Sequence, residues 1–398
     1  MTSTPTAKQE LKGDAQCLPE INRVHRELET CSYSCAEELI ANRLGEHFGL
    51  LESIEDSLEW FDLLQRHVYP DEVGVRYYCV TDQLRMQTAI LPVRQHRRGW
   101  VCMLESLSNF YTSLYSPLIS RGCEQGALAR LISEIAERNR NTHVMRFAPM
   151  DPDSPNYSVL SRELRAAGWI PLDFFCFGNW FLNVDGEWDD YLRMRSANLR
   201  SAIKRRSREF AAQGGVLDIV CGEENLESAI AAYQEVYSFS WKIPEPYQEF
   251  VPSLIRLLAA KGMLRLGIAR LNGKPIAAQI WIVGPSKASI YKVAYHQAYA
   301  QLSPGTVLTN SLMKHVIQQD RVKEVDFLIG DDEYKKSWMS NRRERWGIIA
   351  FNKNSFIGLI LLGKELLSRK VKLIFRNTTV RLNECPSCQT PLLTRLSE

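Results

Sequence analysis

The sequence predicts a mixed α/β (α+β) chain built from two tandem units, each a twisted mixed sheet flanked by helices. Three observations carry this reading. Strand-like and helix-like segments follow one another in the order β-β-β-α-β-α-β, and that order occurs twice. Asn272-Gly273 separates two apolar, β-rich runs and is a strong short hairpin signal, because its turn needs positive φ at both central positions. The composition, 45% hydrophobic and 24% charged over 398 residues, is that of a globular chain long enough for two cores.

Residues 1–50 read as a polar lead-in that ends in a helix over Ala36–Leu51. The first unit, 51–185, opens on a helix in which Leu58, Phe61, Leu64 and Val68 share a face and Pro70 marks the end. Val75–Val80 and Arg85–Val93 form a hairpin across Thr81-Asp82-Gln83-Leu84, and Trp100–Leu107 is a third strand. Helix Glu124–Asn139, strand His143–Ala148, helix Tyr157–Ala167 and strand Leu172–Val184 complete the unit, with the boundary near Asp185-Gly186.

The second unit, 186–352, begins with a helix from Trp188 to about Gln213, stopped by Gly214-Gly215, where glycine accepts the left-handed conformation of a helix end. Strand Val216–Val220 and two helices precede the hairpin of Met263–Leu271 and Lys274–Val283. Then come strand Ser289–Tyr295, helix Gly305–Gln319, strand Val322–Ile329, helix Asp332–Ser340 and strand Trp346–Phe351. Residues 353–398 hold an apolar helix with interspersed Lys364, Arg369, Lys370 and Lys372, followed by a tail. That helix reads as packed on the second unit, with peripheral contact to a membrane surface as the alternative.

Several function classes recede on composition. The 49 basic and 46 acidic side chains leave a net charge of only +3, so attraction to anionic partners is local. No secretory leader and no run of about 18 uncharged apolar residues are evident, and ten scattered cysteines fit reduced thiols, so a cytoplasmic protein is expected. Cys385 and Cys388 form a spaced pair without a second pair, too few ligands for tetrahedral zinc, and no metal is expected.

Chemistry gathers in the second unit. Ser303-Pro304-Gly305-Thr306 marks a helix start whose free N–H groups and dipole suit a phosphate, although most such starts only cap a helix. The corresponding place in the first unit, Ser113–Ile119, lacks the glycine. After strand Val322–Ile329 stand Asp331, Asp332, Glu333, Tyr334 and Lys335. The carboxylates there either take a proton from an acceptor or cap the next helix, and the tyrosine is placed to protonate a departing group. Arg193–Arg208 is a basic helix, with Arg200 and Lys204 available to a phosphate-bearing partner or to solvent. Trp241-Lys242, Tyr291, Tyr295 and His296 are aromatic or basic residues near the same break, of which Trp241, Tyr295 and His296 are the pocket candidates.

Leu199–Arg206, Ser240-Trp241, Gly273–Ala278, Tyr295, Ala298-Tyr299, Ser303–Gly305 and Asp326–Lys335 occur in an order that resembles the GNAT superfamily. The resemblance is to the acetyltransferases of bacterial cellulose and exopolysaccharide biosynthesis, which are similar to Fem-type aminoacyl transferases. It spans about Asp189 to Phe351. It implies transfer of an acetyl or other acyl group from acetyl-CoA or another acyl-CoA to an amine or hydroxyl acceptor, a small molecule or saccharide. Under it Ser303, Pro304, Gly305 and Thr306 bind the cofactor, Asp331, Glu333, Tyr334 and Lys335 stand at the chemistry, and Trp241, Tyr295, His296, Arg200 and Lys204 hold substrate. GNAT phosphate loops bear two or three glycines, and this one bears Gly305 alone. Two alternatives therefore stand beside it: an aminoacyl-tRNA-dependent peptidyltransferase, with tRNA as a less favoured partner, and a non-catalytic scaffold.

Overall fold

In the computed structural model the structure describes residues 28–44, 51–82, 88–120, 123 and 125–383. The Gln83-Leu84 turn, most of the lead-in, and Cys385 and Cys388 lie outside these residues. The first half runs β1 (Leu28–Tyr33), α1 (Ala36–Ala41), α2 (Leu58–His67), β2 (Val75–Asp82), β3 (Thr88–Arg98), β4 (Val101–Ser106), β5 (Leu118–Ile119), α3 (Gln125–Arg138), β6 (Val144–Met150), α4 (Pro155–Ala166) and β7 (Trp169–Asn183). The second runs α5 (Trp188–Met194), α6 (Ala197–Ala212), β8 (Gly215–Val220), α7 (Leu226–Ser238), α8 (Phe250–Ala260), β9 (Leu264–Leu271), β10 (Lys274–Val283), β11 (Lys287–Tyr295), α9 (Pro304–Gln318), β12 (Glu324–Asp326), α10 (Glu333–Trp338) and β13 (Asn341–Asn352). Helix α11 (Phe356–Asn383) follows.

Local chemistry accounts for most boundaries. Ser57 caps α2 by accepting from the Trp60 N–H at 3.2 Å. The β9–β10 turn has Asn272 and Gly273 at φ 50° and 80°, as the hairpin requires. The single helix expected over 188–213 is two helices. Arg195 is extended and Ser196 caps α6 through the Leu199 N–H, so a cap inside the basic run divides it.

Among the described residues the strands form one sheet in the order β1-β2-β3-β4-β6-β13-β7-β12-β11-β10-β9-β8, with β5 beside β3. The halves exchange their last strands. β7, which ends the first half in sequence, pairs with β12 and β13, while β13, which ends the second, pairs with β6. Each half thus borrows the strand that closes its sheet.

Two apolar clusters cover the sheet. One joins α2 and the first-half strands to α7 and α8, with Trp60 edge-on to Phe250 at 5.7 Å. The other packs Trp188, Tyr191, Ile203 and Phe210 of α5 and α6 against α9 and β12. Burial of this extent is the main term holding the sheet in place.

Candidate active site

β11 and β12 pair in parallel over three residues only, Lys287 with Glu324, Ala288 with Val325 and Ser289 with Asp326, and then part. The strand expected over Val322–Ile329 is therefore short. Its end is fixed by Asp326, 1% exposed, whose Oδ1 accepts from the Leu328 N–H at 2.7 Å and from Asn179 Nδ2 at 2.5 Å. Oδ2 of the same carboxylate meets Lys287 at 2.8 Å and Arg343 at 2.5 Å. Burial alone would raise the Asp326 pKa, but the two cations outweigh it and hold the group well below the usual carboxylate range. Leu328 is turned to φ 55°, which takes the chain away from β11.

A cavity of about 740 Å³ fills the opening. Ile290–Val293 and Tyr295 of β11 form one wall, Phe327–Ile329, Asp332, Tyr334 and Lys335 another, and Ser303, Gly305 and Thr306 stand at the start of α9. Trp241 and Lys242 close one side, and Phe110, Tyr111 and Ser113 reach in from the first half.

The helix start departs from its expected form. Ser303 adopts φ 50° and ψ 49°, and its side chain makes no cap hydrogen bond, because that backbone conformation turns it away from the first turn. Its carbonyl accepts from Thr306 N–H at 3.0 Å and Val307 N–H at 3.2 Å, its own N–H donates to Ala300, and Pro304 has no N–H. Gly305 is left as the first-turn donor. A Cβ on Gly305 would lie 3.6 Å from Tyr295 Cδ1, ordinary contact, so the glycine keeps space open without relieving a clash. One N–H with the helix dipole fits a single phosphate oxygen; it is less than the multi-donor cradle a CoA pyrophosphate takes in glycine-rich loops.

On the α10 side, Asp332 caps the helix by accepting from the Lys335 N–H at 3.1 Å. Lys335 Nζ donates to the Ile329 carbonyl, and burial lowers its pKa. The Tyr334 hydroxyl lies 3.1 Å from Thr309 Oγ1. Although 40% of the Tyr334 residue is exposed, its hydroxyl end is enclosed, and that burial raises its pKa.

The remaining expected residues divide. Trp241 and Tyr295 pack together at 4.6 Å on the cavity wall. His296 lies off the wall: its Nδ1 accepts from the Ala298 N–H and its ring stacks on Phe239. Arg200 donates to the carbonyls of Arg193 and Arg195, holding the α5–α6 junction, and Lys204 is exposed on α6. Asp331 is bonded to Arg342, which lowers its pKa, and Glu333 is paired with Lys336 at the surface; neither lines the cavity. Pro304 is buried as the first residue of α9.

The structure adds a polar cluster absent from the expected set. Glu245 accepts from the Tyr111 hydroxyl at 2.5 Å and from Lys292 Nζ. Burial opposes its charge, but these bonds outweigh it and keep its pKa low. Beside it, burial and the Lys292 charge press the Lys242 pKa down to about 8. Lys242 was named in the sequence beside Trp241. Lys292 carried a faint signal as a cation within an apolar strand, and Tyr111, more than a hundred residues earlier, carried none. Among the described residues no group of three or more His, Cys, Asp or Glu is arranged to hold a metal ion.

The class defined by this sheet is a tandem pair of mixed α/β units with one open strand divergence. Residues 197–336 match the family model described as an acetyltransferase (GNAT) domain. No curated protein sequence matches the chain. Similar solved structures include that of FemX, at 10% identity and TM-score 0.54 over 82% of this chain and 98% of that one. Another is the C-terminal domain of a putative lysylphosphatidylglycerol synthetase from Agrobacterium fabrum, at 10% identity and TM-score 0.50 over 83% and 97%. A conserved protein of unknown function from Bacteroides thetaiotaomicron aligns at 11% identity and TM-score 0.50 over 78% and 96%. At such identities the likeness is one of fold alone.

Proposed function

We infer that the protein is an acyltransferase that moves an acyl group from an activated, phosphate-bearing donor to an amine or hydroxyl acceptor within the β11–β12 cavity. The observation that carries this reading is the placement of the α9 start, Tyr334 and Lys242 around one cavity in the half that matches the GNAT model. The first choice of donor is acetyl-CoA or another acyl-CoA, and of acceptor a saccharide or other small molecule. When bound, the donor supplies a carbonyl already activated for attack.

The chain's own residues then do three things. Gly305 N–H and the α9 dipole orient a donor phosphate. Lys242, with its pKa near 8, takes the proton from the attacking amine or hydroxyl, and the Tyr334 hydroxyl, backed by Thr309, supplies a proton to the leaving group. Trp241 and Tyr295 offer aromatic faces on which a sugar or other acceptor body can lie. Holding both substrates in line is itself a large part of the rate, so no covalent enzyme intermediate is required.

An aminoacyl-tRNA donor is the second reading. It is favoured by the single N–H at the α9 start and by exposed Lys204, Arg205 and Arg208 on α6, which packs against α9. The test is release of free thiol from acetyl-CoA across a panel of amines and hydroxylated saccharides, with a cysteine-free variant as control. Acceptor-dependent release that survives cysteine removal supports the first reading. No release, together with transfer from charged tRNA that falls steeply with salt, moves the assignment to the second.

A further inference from the structure

Helix α11 has two unlike faces. Towards the protein, Gly358 is buried so closely that a Cβ there would come within 2.4 Å of the Asn352 carbonyl. On the same face, seven and eleven residues on, Glu365 pairs with Arg369, and Arg369 donates to the Asp173 carbonyl at 2.8 Å. The opposite face is apolar and bare. Phe356, Ile360, Leu367 and Val371 recur at the spacing that puts residues on one side of a helix, and all are exposed, Phe356 by 78% and Leu367 by 64%. Leu359 and Leu366 widen the stripe.

The charges along this face have one sign. Lys364 borders the stripe, Lys370 falls within it between Leu366 and Leu367 around the helix, Lys372 follows, and all three are exposed; among the described residues none is paired with a carboxylate. Glu365 is engaged on the protein side. A second copy docked face to face about a twofold axis would set these lysines against one another with no acid between them. A bilayer with anionic headgroups meets both features at once, taking the apolar stripe into the acyl boundary while the lysines reach the phosphates. No helix among the described residues is long and apolar enough to cross a membrane, so contact would be in the plane of the surface.

We propose that α11 is an in-plane anchor that docks the protein on an anionic lipid surface through Phe356, Ile360, Leu367 and Val371, with Lys364 and Lys370 contacting headgroups. The proposal is independent of the acyl-transfer reading. The test is co-sedimentation of the full chain with vesicles of phosphatidylcholine alone or mixed with phosphatidylglycerol. The expected result is sedimentation with the mixed vesicles only, weakened by salt. Both Leu367→Glu and the pair Lys364→Glu with Lys370→Glu should lower it by about tenfold or more, with an unchanged unfolding midpoint because these side chains are exposed. Failure of the full chain to bind the mixed vesicles would overturn the proposal, as would equal binding by the variants. A concentration-dependent dimer abolished by Leu367→Glu would assign the face to a second copy instead. Binding that appears only when residues 384–398 are removed would assign it to the chain's own tail.

Discussion

The molecule contains two parallel strand pairs that begin alike and end differently. In the first half β4 and β6 pair over Met103–Glu105 and Val144–Arg146, and in the second β11 and β12 pair over Lys287–Ser289 and Glu324–Asp326. Beyond the first pair the gap is closed by the chain itself. Ser106 and Ser108 hydroxyls donate to the Ala148 carbonyl at 3.0 and 2.7 Å, and the Tyr115 N–H donates to the Pro149 carbonyl at 2.6 Å. Ser113, which reaches the wall of the second-half cavity, gives both its N–H and its hydroxyl to buried Glu55. Beyond the second pair, Asp326 holds the turn at Leu328 through that residue's N–H, and the chain leaves a cavity between the strands. The same backbone divergence therefore becomes a plug or a pocket according to where a few hydrogen bonds go.

The comparison can be broken most forcefully at Asp326. Asp326→Ala would remove the buried counter-charge of Lys287 and Arg343 and leave them only the less buried Glu324, and stability should fall by about 2–4 kcal/mol in denaturant titration. An unchanged midpoint would mean that the opening is held by something else. Next in size is Lys242→Met, for which the expected loss is about a hundredfold in kcat. A lysine must be neutral to accept a proton, so parent activity should rise with pH through about 8 and level off above it, and the variant should lose that rise. A pH profile that is the same in both would remove Lys242 from proton transfer. The smallest effect is expected on the closed side. Ser106→Ala combined with Ser108→Ala should cost about 1–3 kcal/mol by leaving the Ala148 carbonyl short of donors, with no change in donor binding.

How far the sequence reached varies by element for physical reasons. The Asn272-Gly273 hairpin was legible because its geometry is demanded by residue type, and the helix of Leu58, Phe61 and Leu64 because its apolar period is local. The exchange of β7 and β13 was not, since the pattern of elements is the same whichever half a closing strand joins. β1 was read as part of a polar lead-in, because Leu28–Tyr33 has few apolar residues to show a period. The start of β13 was missed because Arg342, Arg343 and Glu344 are charged, and their partners Asp331, Asp326 and Glu324 are distant in sequence. At the cavity, Ser303, Gly305 and Thr306 came from one short motif and Tyr334 and Lys335 from another, whereas Glu245, Lys292 and Tyr111 meet only through the fold. His296 and Arg200 looked chemical in sequence but are used on neighbouring backbone groups, a role no residue type announces.

The central claim, that the cavity at the start of α9 receives the donor, is tested most directly by calorimetric titration with acetyl-CoA of the parent and of Gly305→Glu. The variant sets a carboxylate beside Tyr295, where the proposed donor phosphate would lie. Saturable binding by the parent that is lost in the variant is the predicted result, and equal binding by both would contradict a donor site at this helix.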